Sequence, residues 1–468
     1  MNWKLGRRSF LSSLFAAGVG MFGSNKLDAA GLSGAAANAS RAGKGGLKND
    51  GNAITTIASG LGSTDIYTEL GVTPIINIEG TITILGNTLM KPEVMELMRM
   101  GNQHFVALDE LEVAAGKFIA RLCKSPAGYT GLVTTGSAAS IMIGYAAMMT
   151  EDFESRLEAI PDLTGFPKTE VIMQKSDRYA FDHQIRQTGA KLVLVEGREE
   201  MIAAINPRTV GIHFCPQAHR GSVSAAETVE IAKAHNVYSF CDCGGSSDLP
   251  PKAHLWEYPA IGFDMVCFGG GKDVSGPAAT GILIGKEDLI GWSLLNMSPQ
   301  ENRIGRPCKV GKEAILAVLK ALELFVNQDE DAMLKVYDAR AQVITDALAK
   351  LEVAALPRTG SYGESLRYTW QWDPAKFDLT TSKVLAELAA TRPVAIGYIL
   401  PPNFSGSQGM RGRPDPGGPP VARGGLRNTH DNAAQNTFGF NPWVLKEGED
   451  QIVADRLVEI FSAAARKS

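Results

Sequence analysis

The sequence has little of what marks a membrane protein or a nucleic-acid-binding protein. No segment reaches about 18 uninterrupted apolar residues, the length that a membrane-spanning helix needs, and residues 11–22 are too few for a permanent anchor. Lys and Arg number 46 against 50 Asp and Glu, which gives a formal net charge of −4. Because nucleic-acid binding depends on basic residues that neutralise phosphates, we expect neither a membrane anchor nor a nucleic-acid partner.

A disulfide framework, a metal cluster and an internal repeat are also missing. The six cysteines lie mostly inside apolar, strand-like runs of a chain far larger than disulfide-dependent scaffolds, so we expect buried thiols. Cys241 and Cys243 are one residue apart and have no second Cys/His pair nearby, which predicts no metal site. No repeat of about 20–50 residues is visible, which excludes a repeat architecture.

The first 39 residues resemble a twin-arginine signal peptide. Gly6-Arg7-Arg8-Ser9-Phe10-Leu11 is similar to the export motif, an apolar run follows it, and Ala37-Asn38-Ala39 provides small residues for cleavage. A chance pair of arginines before an apolar helix is the alternative. The motif predicts passage through the twin-arginine export machinery and a periplasmic or secreted protein. Removal of residues 1–39 would lower the net charge to −7, because they include four basic residues and one acidic residue.

The rest of the chain divides by composition and pattern. Residues 40–64 are rich in Gly, Ser and Asn and predict a flexible linker. We interpret residues 65–122 as an N-terminal segment that joins a small domain, 123–310 as a large domain and 311–468 as the small domain. Residues 401–429 form a loop rich in Pro, Gly and Arg, which is either mobile or in contact with a neighbouring subunit, or is ordered over an active site.

Alternating strand and helix patterns from residue 129 predict an α/β fold. Seven short apolar runs have the pattern of strands: 129–135, 171–174, 191–196, 210–215, 237–243, 264–269 and 281–284. Helical patterns between them predict a large, mostly parallel seven-stranded sheet covered on both faces. After residue 285 the patterns are mainly helical, with one strand at 366–372, which predicts a smaller α+β domain.

Three stretches at the ends of predicted strands carry the candidate chemistry, and the first ends at Lys272. The glycines at 269–271 lead into this lysine and indicate a ligand pressed on the backbone, so that the lysine suits the role of a covalent amine. An exposed lysine at the start of a loop is the alternative. Asp242 ends another strand, where a buried carboxylate needs a cationic partner, and a structural salt bridge is its alternative.

The third stretch is Thr135-Gly136-Ser137-Ala138, where a strand ends and a helix begins. A phosphate can bind at the positive terminus of such a helix, although capping of the helix by Thr135 or Ser137 is the alternative. Ligands of open α/β sheets bind off the carboxyl ends of the strands. The order of phosphate turn, aspartate and lysine therefore predicts an enzyme that uses pyridoxal 5'-phosphate.

From about residue 71 to residue 312 the sequence resembles the selenocysteine-synthase-like family of fold-type-I pyridoxal-phosphate enzymes, which includes the D-glucosaminate-6-phosphate ammonia-lyases. Six stretches carry the resemblance: 76–81, 104–111, 134–139, 181–189, 269–277 and 304–313. Relatives tend to have Asp-Ala-Ala after the strand, whereas this chain has Asp242-Cys243-Gly244-Gly245, and the loop 401–429 is an insertion. The family's fold, a large sheet domain with a smaller α+β domain, agrees with the patterns above.

The resemblance also implies roles for single residues. Lys272 would hold the cofactor through its amine and then take the Cα proton of the substrate, and Asp242 would pair with the pyridine nitrogen. The phosphate would bind to Thr135, Gly136, Ser137 and Ala138. His183 would stack on the ring face, with a satisfied histidine of an amphipathic stretch as the alternative.

The same resemblance yields substrate and partner predictions. Arg306 is a candidate for binding a substrate carboxylate, with an interface salt bridge as its alternative, and Arg186 is a second candidate. We expect removal of ammonia or another β-leaving group from an amino acid or amino-sugar acid, with racemisation and transamination as alternatives. Selenium transfer on a tRNA is disfavoured for an acidic, exported protein, and a non-catalytic binding protein is disfavoured by the intact site. Family members imply a homodimer or higher homo-oligomer.

Overall fold

The computed structural model describes residues 66–245, 251–357, 368–392, 394–397 and 436–466. The predicted signal peptide, the linker 40–64 and the loop 401–429 lie outside these ranges. Two compact units divide the chain, residues 1–72 and 73–468, and the described part of the first contains the short helix α1 (Ile66–Glu69). Within the described ranges, no helix combines the length and the apolar character that crossing a membrane requires.

The unit 73–468 is built on a seven-stranded sheet. Its strands are β2 (Tyr129–Thr134), β3 (Glu170–Gln174), β4 (Lys191–Val195), β5 (Thr209–Phe214), β6 (Tyr238–Cys243), β7 (Met265–Gly269) and β8 (Gly281–Lys286). Their spatial order is β2-β8-β7-β6-β5-β3-β4. β8 runs antiparallel to β2 and β7, and the other neighbouring pairs are parallel. The predicted mostly parallel sheet is confirmed, and each strand lies within two residues of its predicted bounds.

The helices of this unit cover the large sheet or belong to a smaller core. They are α2 (Pro92–Gly101), α3 (Leu108–Leu122), α4 (Ser137–Thr150), α5 (Glu154–Ala159), α6 (His183–Gln187), α7 (Gly197–Ala204), α8 (Ala225–Ala234), α9 (His254–Ile261), α10 (Glu287–Leu295), α11 (Lys312–Asn327), α12 (Glu330–Ala349), α13 (Thr381–Ala389) and α14 (Glu449–Ala463). The sequence patterns did not predict α5, α6, α7, α9 and α10. All five span only five to nine residues, too few to show a helical period, and α9 also contains Pro259.

Successive side chains of a strand point to opposite faces of the sheet, so the strands contribute to two separate cores. On one face, strand residues pack against α4 and α10; they include Leu132, Phe240, Met265 and Leu283. On the other face, strand residues pack against α3, α9 and α11; they include Val133, Cys241, Val266 and Ile282. α4 is buried along almost its whole length, which explains why its sequence is apolar on all sides.

A smaller antiparallel sheet forms a separate core from the C-terminal half. It consists of β9 (Ala354–Ala355), β10 (Tyr368–Gln371) and β12 (Thr437–Phe440), with β10 in the middle. Trp370 of β10 stacks on Phe440 of β12 with ring centroids 5.2 Å apart, and residues of α12 and α14 complete this core. The predicted strand at 366–372 is thereby confirmed over its described residues.

The predicted N-terminal segment 65–122 contributes both to the smaller core and to a core of the large sheet. Its strand β1 (Ile75–Ile76) pairs in parallel with β11 (Ala395–Ile396) and joins the smaller core. Its helices α2 and α3 instead pack on the large sheet together with α11, which begins at residue 312. Helices on both sides of the predicted boundaries at 122/123 and 310/311 therefore share a core with the large sheet.

One acidic side chain, Glu112, is buried between α3 and the large sheet. It is 3% exposed, and its Oε2 accepts a hydrogen bond of 3.0 Å from the amide of Val133 in β2. Burial raises the pKa of Glu112 to about 8, although the hydrogen bond opposes the shift. The folded protein therefore keeps the proton at a pH where the unfolded chain, with its ordinary pKa of 4.5, has released it. The stability that this group contributes is complete below pH 4.5 and is lost as the pH rises through 8.

We expect Glu112→Gln to be as stable as the unsubstituted protein at pH 5 but more stable at pH 8.5, by on the order of 1–2 kcal/mol. Glutamine keeps an oxygen for the Val133 amide and has no proton to lose. Chemical denaturation at both pH values measures the difference, and Glu110→Gln, an exposed position on the same helix, is the control. A loss of stability in Glu112→Gln at both pH values would contradict the assignment.

Candidate active site

Gly244 is the point where the three predicted stretches meet. A side-chain Cβ at this position would lie 2.1 Å from Ser137 Oγ and 2.8 Å from Asp242 Oδ1. The carbonyl oxygen of Gly244 lies 3.0 Å from where a Cβ of Gly269 would be, and Cδ of Lys272 lies 3.3 Å from that same point. The phosphate turn, the aspartate and the lysine therefore surround one glycine at the carboxyl edge of the sheet.

The turn at residues 135–138 presents an open helix terminus. The residue before α4 is Gly136, with φ 85° and ψ 160°, and no side chain caps the helix. The hydroxyl of Thr134 forms hydrogen bonds with Ser140 Oγ at 2.7 Å and with the Gly136 carbonyl at 3.1 Å, so it does not cap the helix either. Capping by Thr135 or Ser137, the alternative from the sequence, is thus wrong. The first amides of α4 remain available to an anion.

Asp242 is a buried carboxylate at the end of β6. It is 4% exposed and accepts hydrogen bonds from Tyr179 Oη at 2.5 Å, from the Gly244 amide at 2.8 Å and from Cys267 Sγ at 3.3 Å. Among the described residues, no cationic nitrogen lies within the 4.0 Å of an ion pair with it. The alternative of a structural salt bridge is therefore not found there, and three donors stabilise the charge instead.

Lys272 follows β7 and lies over Gly269. Burial lowers the pKa of its amine below the ordinary value, an effect that the negative charges of Asp242 and Asp273 partly oppose. A lowered pKa leaves more of the amine uncharged near neutral pH, which is the form that attacks a carbonyl carbon. Lys272 is thus partly buried near a carboxylate and does not have the surroundings of a surface lysine.

The glycines before Lys272 also meet a packing requirement of the chain itself. A Cβ at Gly270 would lie 2.3 Å from Thr280 Oγ1, and a Cβ at Gly271 would lie 2.5 Å from Ala278 Cα. The Gly270 amide also donates to the Thr280 carbonyl at 2.8 Å. Two of the three glycines are therefore required because the chain's own following turn packs against them. Contact of a ligand with this stretch stays a prediction.

Three predicted residues are not brought to this cluster by any contact among the described residues. His183 is exposed at the start of α6, and its Nδ1 lies 3.0 Å from Arg186 Nη2. Arg186 Nε is 3.8 Å from Asp182 Oδ1. Arg306 is half-buried in a turn, with Nη1 3.4 Å from Ser298 Oγ. Their proposed roles remain predictions.

Sequence patterns missed a polar group that lies behind Asp242. Tyr179, which donates to the carboxylate, also lies 2.9 Å from His213 Nε2, and Tyr145 Oη lies 3.1 Å from His213 Nδ1. A histidine inside the apolar strand pattern at 210–215 was the available signal. It could not be paired with Tyr179 or Tyr145, since these residues are 34 and 68 positions away along the chain.

These groups fit pyridoxal phosphate at three points. The open terminus of α4 suits a phosphate, the Asp242 carboxylate without an ion pair in the described chain suits a protonated ring nitrogen, and the Lys272 amine suits an aldehyde. Together the fold and the site define an enzyme of the fold-type-I pyridoxal-phosphate class. The predicted fold class and cofactor are confirmed.

Curated proteins of related sequence agree with this class, although no protein-family model matches the chain. The chain is 27% identical over 301 residues to the D-glucosaminate-6-phosphate ammonia lyase of Salmonella typhimurium, covering 61% of this chain and 76% of that one. It is 27% identical over 279 residues to a 5'-C-glycyluridine monooxygenase-decarboxylase of a Streptomyces species, covering 57% and 66%. For the L-seryl-tRNA(Sec) selenium transferase of Carboxydothermus hydrogenoformans, identity is 24%, covering 54% and 56%. The predicted resemblance is confirmed.

Solved structures show the same fold. A structure of D-glucosaminate-6-phosphate ammonia-lyase matches with a TM-score of 0.69 at 23% identity, covering 86% of this chain and 99% of that one. A NifS-like protein matches with a TM-score of 0.50 at 14% identity, covering 84% and 100%. The architecture is therefore shared well beyond detectable sequence similarity.

We expect Gly244→Ala to weaken pyridoxal-phosphate binding about tenfold or more. The added methyl would overlap Ser137, whose Cβ would be only 2.4 Å away, and would displace the turn or the carboxylate. Titration of the cofactor-free protein, followed by absorbance, measures the change. Gly291→Ala is the control, because a Cβ in that part of α10 meets no atom within 4 Å. Unchanged affinity in Gly244→Ala would contradict the described contact.

Proposed function

We propose that the protein is an exported enzyme that removes the α-proton of an amino acid or amino-sugar acid and eliminates ammonia or another β-leaving group. The observation that carries the proposal is the convergence of the Lys272 amine, the Asp242 carboxylate and the open terminus of α4 around Gly244. Similarity to an enzyme named as a D-glucosaminate-6-phosphate ammonia lyase supports elimination as the reaction and an amino-sugar acid as the substrate.

Each part of the site has a distinct task in this proposal. Thr135, Gly136, Ser137 and Ala138 would hold the phosphate through amides and hydroxyls, and Asp242 would keep the ring nitrogen protonated. When bound, pyridoxal phosphate supplies an electron sink for the charge that develops at the substrate Cα. His183, on the segment that also carries Tyr179, is proposed to contact the ring face.

Lys272 is the proposed base. Burial lowers the pKa of the amine, which favours the uncharged form of Nζ that would accept the Cα proton of the substrate. Asp242 and Asp273 partly oppose this shift, so the conjugate ammonium that forms is also stabilised. The same Nζ can then donate the proton to the departing group.

Arg306 and Arg186 are proposed to bind the substrate carboxylate. Each carries a guanidinium that can form two parallel hydrogen bonds to a carboxylate. Arg306 follows Gly305, whose close packing against Asn296 and Ile143 fixes the turn next to α4. Racemisation and transamination use the same lysine and aspartate, so the products decide between them.

We expect purified protein to show the visible absorbance of bound pyridoxal phosphate and to release ammonia and a keto acid from at least one member of a panel of amino acids and aminated sugar acids. Lys272→Ala should lose the visible band and at least about 10³-fold in rate, because it lacks both the covalent amine and the base. Lys286→Ala, a surface lysine of β8 paired with Asp264, is the control. If the products are an inverted amino acid, a transaminated product or carbon dioxide without ammonia, the enzyme catalyses another reaction and the proposed elimination is contradicted.

We further propose that the mature protein is a homodimer or higher oligomer outside the cytoplasm. The twin-arginine-like motif at residues 6–11 supports export. Large apolar side chains are exposed in the segment 84–113, and such a concentration is typical of an interface. They are Ile84, Leu89, Met95, Met100, Phe105, Val106 and Val113, and Phe105 is fully exposed.

We expect cell fractionation to find the protein, with cofactor bound, in the periplasm or the medium, and light scattering of that material to give a mass of at least two chains. Replacing Arg7 and Arg8 by lysine should retain it in the cytoplasm, since the twin-arginine pair is the recognition signal. Replacement of Lys4 by arginine leaves the pair intact and serves as the control. Wild-type protein found in the cytoplasm would refute export. A monomer with bound cofactor would refute the proposed oligomer.

A further inference from the structure

We propose that Tyr179, supported by His213 and Tyr145, is a positioning residue that holds the Asp242 carboxylate in one orientation and keeps its full charge for the cofactor. The inference rests on the proposed function, in which Asp242 faces the ring nitrogen. It assigns a role to three buried residues that lie one to three hydrogen bonds behind that carboxylate, and we name them the tyrosine–histidine relay.

The relay is a continuous chain of hydrogen bonds. Tyr145 Oη lies 3.1 Å from His213 Nδ1, His213 Nε2 lies 2.9 Å from Tyr179 Oη, and Tyr179 Oη lies 2.5 Å from Asp242 Oδ2. Tyr179 and Tyr145 are 0% exposed and His213 is 3% exposed. The chain runs from the middle of α4 through β5 to the end of β6, so it connects three elements that surround the site.

Each proton in the relay has one consistent place. An ionised Asp242 can only accept, so Tyr179 must donate its hydroxyl proton to Oδ2. The Tyr179 oxygen then accepts from His213 Nε2, which must carry the imidazole proton. Nδ1 is left as an acceptor for the hydroxyl of Tyr145. Every polar hydrogen of the three side chains is donated in this arrangement, and His213 is neutral.

The surroundings favour these protonation states. Burial lowers the pKa of His213 to about 4, and the charges of Asp242, Asp182 and Asp177 only partly oppose that shift. Burial, together with the charge of Asp242, raises the pKa of Tyr179 well above its ordinary value. Both groups therefore stay uncharged across the physiological range of pH. The relay gives Asp242 a short hydrogen bond without a positive charge that would compete with the ring nitrogen.

Ring packing leaves the relay little freedom. His213 stacks on Tyr179 with an interplanar angle of 16°, and on Phe240 with an angle of 18°. Phe240 also stacks on Tyr145 with centroids 5.2 Å apart. Gly144 makes room for this stack, because a Cβ there would lie 2.7 Å from the Phe240 ring. The rings are thus held in place independently of the hydrogen bonds.

The segment that carries Tyr179 is also fixed on both sides. Before it, Asp177 Oδ1 accepts from the amides of Arg220 and Gly221 at 2.5 and 2.8 Å. After it, Asp182 forms a buried ion pair with Arg178 at 2.5 Å. The Asp177 contacts tie the loop after β3 to the loop after β5, and the Arg178–Asp182 pair fixes the loop after β3 internally. The position of the Tyr179 hydroxyl is therefore set by the fold and does not depend on a ligand.

Tyr179→Phe tests the relay, because it removes the hydrogen bond to Asp242 and keeps the stacked ring. We expect the dissociation constant for pyridoxal phosphate to rise about tenfold or more, the visible band of the bound cofactor to shift, and kcat to fall with little change in KM. Tyr145→Phe, at the far end of the relay, should change the same quantities in the same direction but less. Cofactor affinity is measured by titrating the cofactor-free protein.

Tyr129→Phe is the matched control. Tyr129 lies in β2 of the same sheet, its hydroxyl donates to the Phe263 carbonyl at 2.8 Å just before β7, and it has no hydrogen bond to Asp242. A purely structural role for Tyr179 would lower the melting temperature of both cofactor-free variants and leave the absorbance band and affinity of both unchanged, which would overturn the relay. If Tyr179→Phe does not fold, the same comparison between Tyr145→Phe and Tyr129→Phe decides. Wild-type protein that binds no pyridoxal phosphate would instead refute the proposed function.

Discussion

The buried negative charge of Asp242 is the constraint on which the site depends. A carboxylate at 4% exposure loses most of its hydration, and among the described residues no ion pair replaces it. Three hydrogen bonds do so, from the backbone of Gly244, from a thiol and from Tyr179. Their donors come from the turn directly after β6, from the neighbouring strand β7 and from the loop after β3. The sheet must therefore hold its register for this charge to be tolerated.

Close backbone approach is the second constraint, and it requires glycine at several positions around the site. Gly244 leaves space for Ser137, Gly281 leaves space for the Gly136 backbone, and Gly270 for Thr280. Each contact joins a strand end to a turn that begins elsewhere in the chain. At position 244 this chain has glycine where the family it resembles tends to have alanine. In this structure an alanine at 244 would overlap Ser137. The glycines thus bring the lysine, the aspartate and the helix terminus within reach of one small molecule.

Much of the fold and part of the site followed from the sequence. Seven short apolar runs predicted the seven-stranded sheet, because parallel strands that are buried on both faces have short, continuous apolar sequences. Short helices such as α5 and α7 were missed, because segments of six and eight residues are too short to show a helical period. Lys272, Asp242 and the turn at 135–138 could be found since each ends a strand and ligands bind at that edge.

The sequence by itself determined the class of fold, the candidate lysine and aspartate, and the cofactor, because these depend on residue type and on position at a strand end. Only the tertiary structure decided what surrounds them. It showed that the helix terminus is uncapped, that Asp242 is stabilised by neutral donors, and that Tyr179, His213 and Tyr145 form one chain. Hydrogen bonds between residues 34 and 68 positions apart have no signature in local pattern, since only the folded sheet brings those side chains to one face.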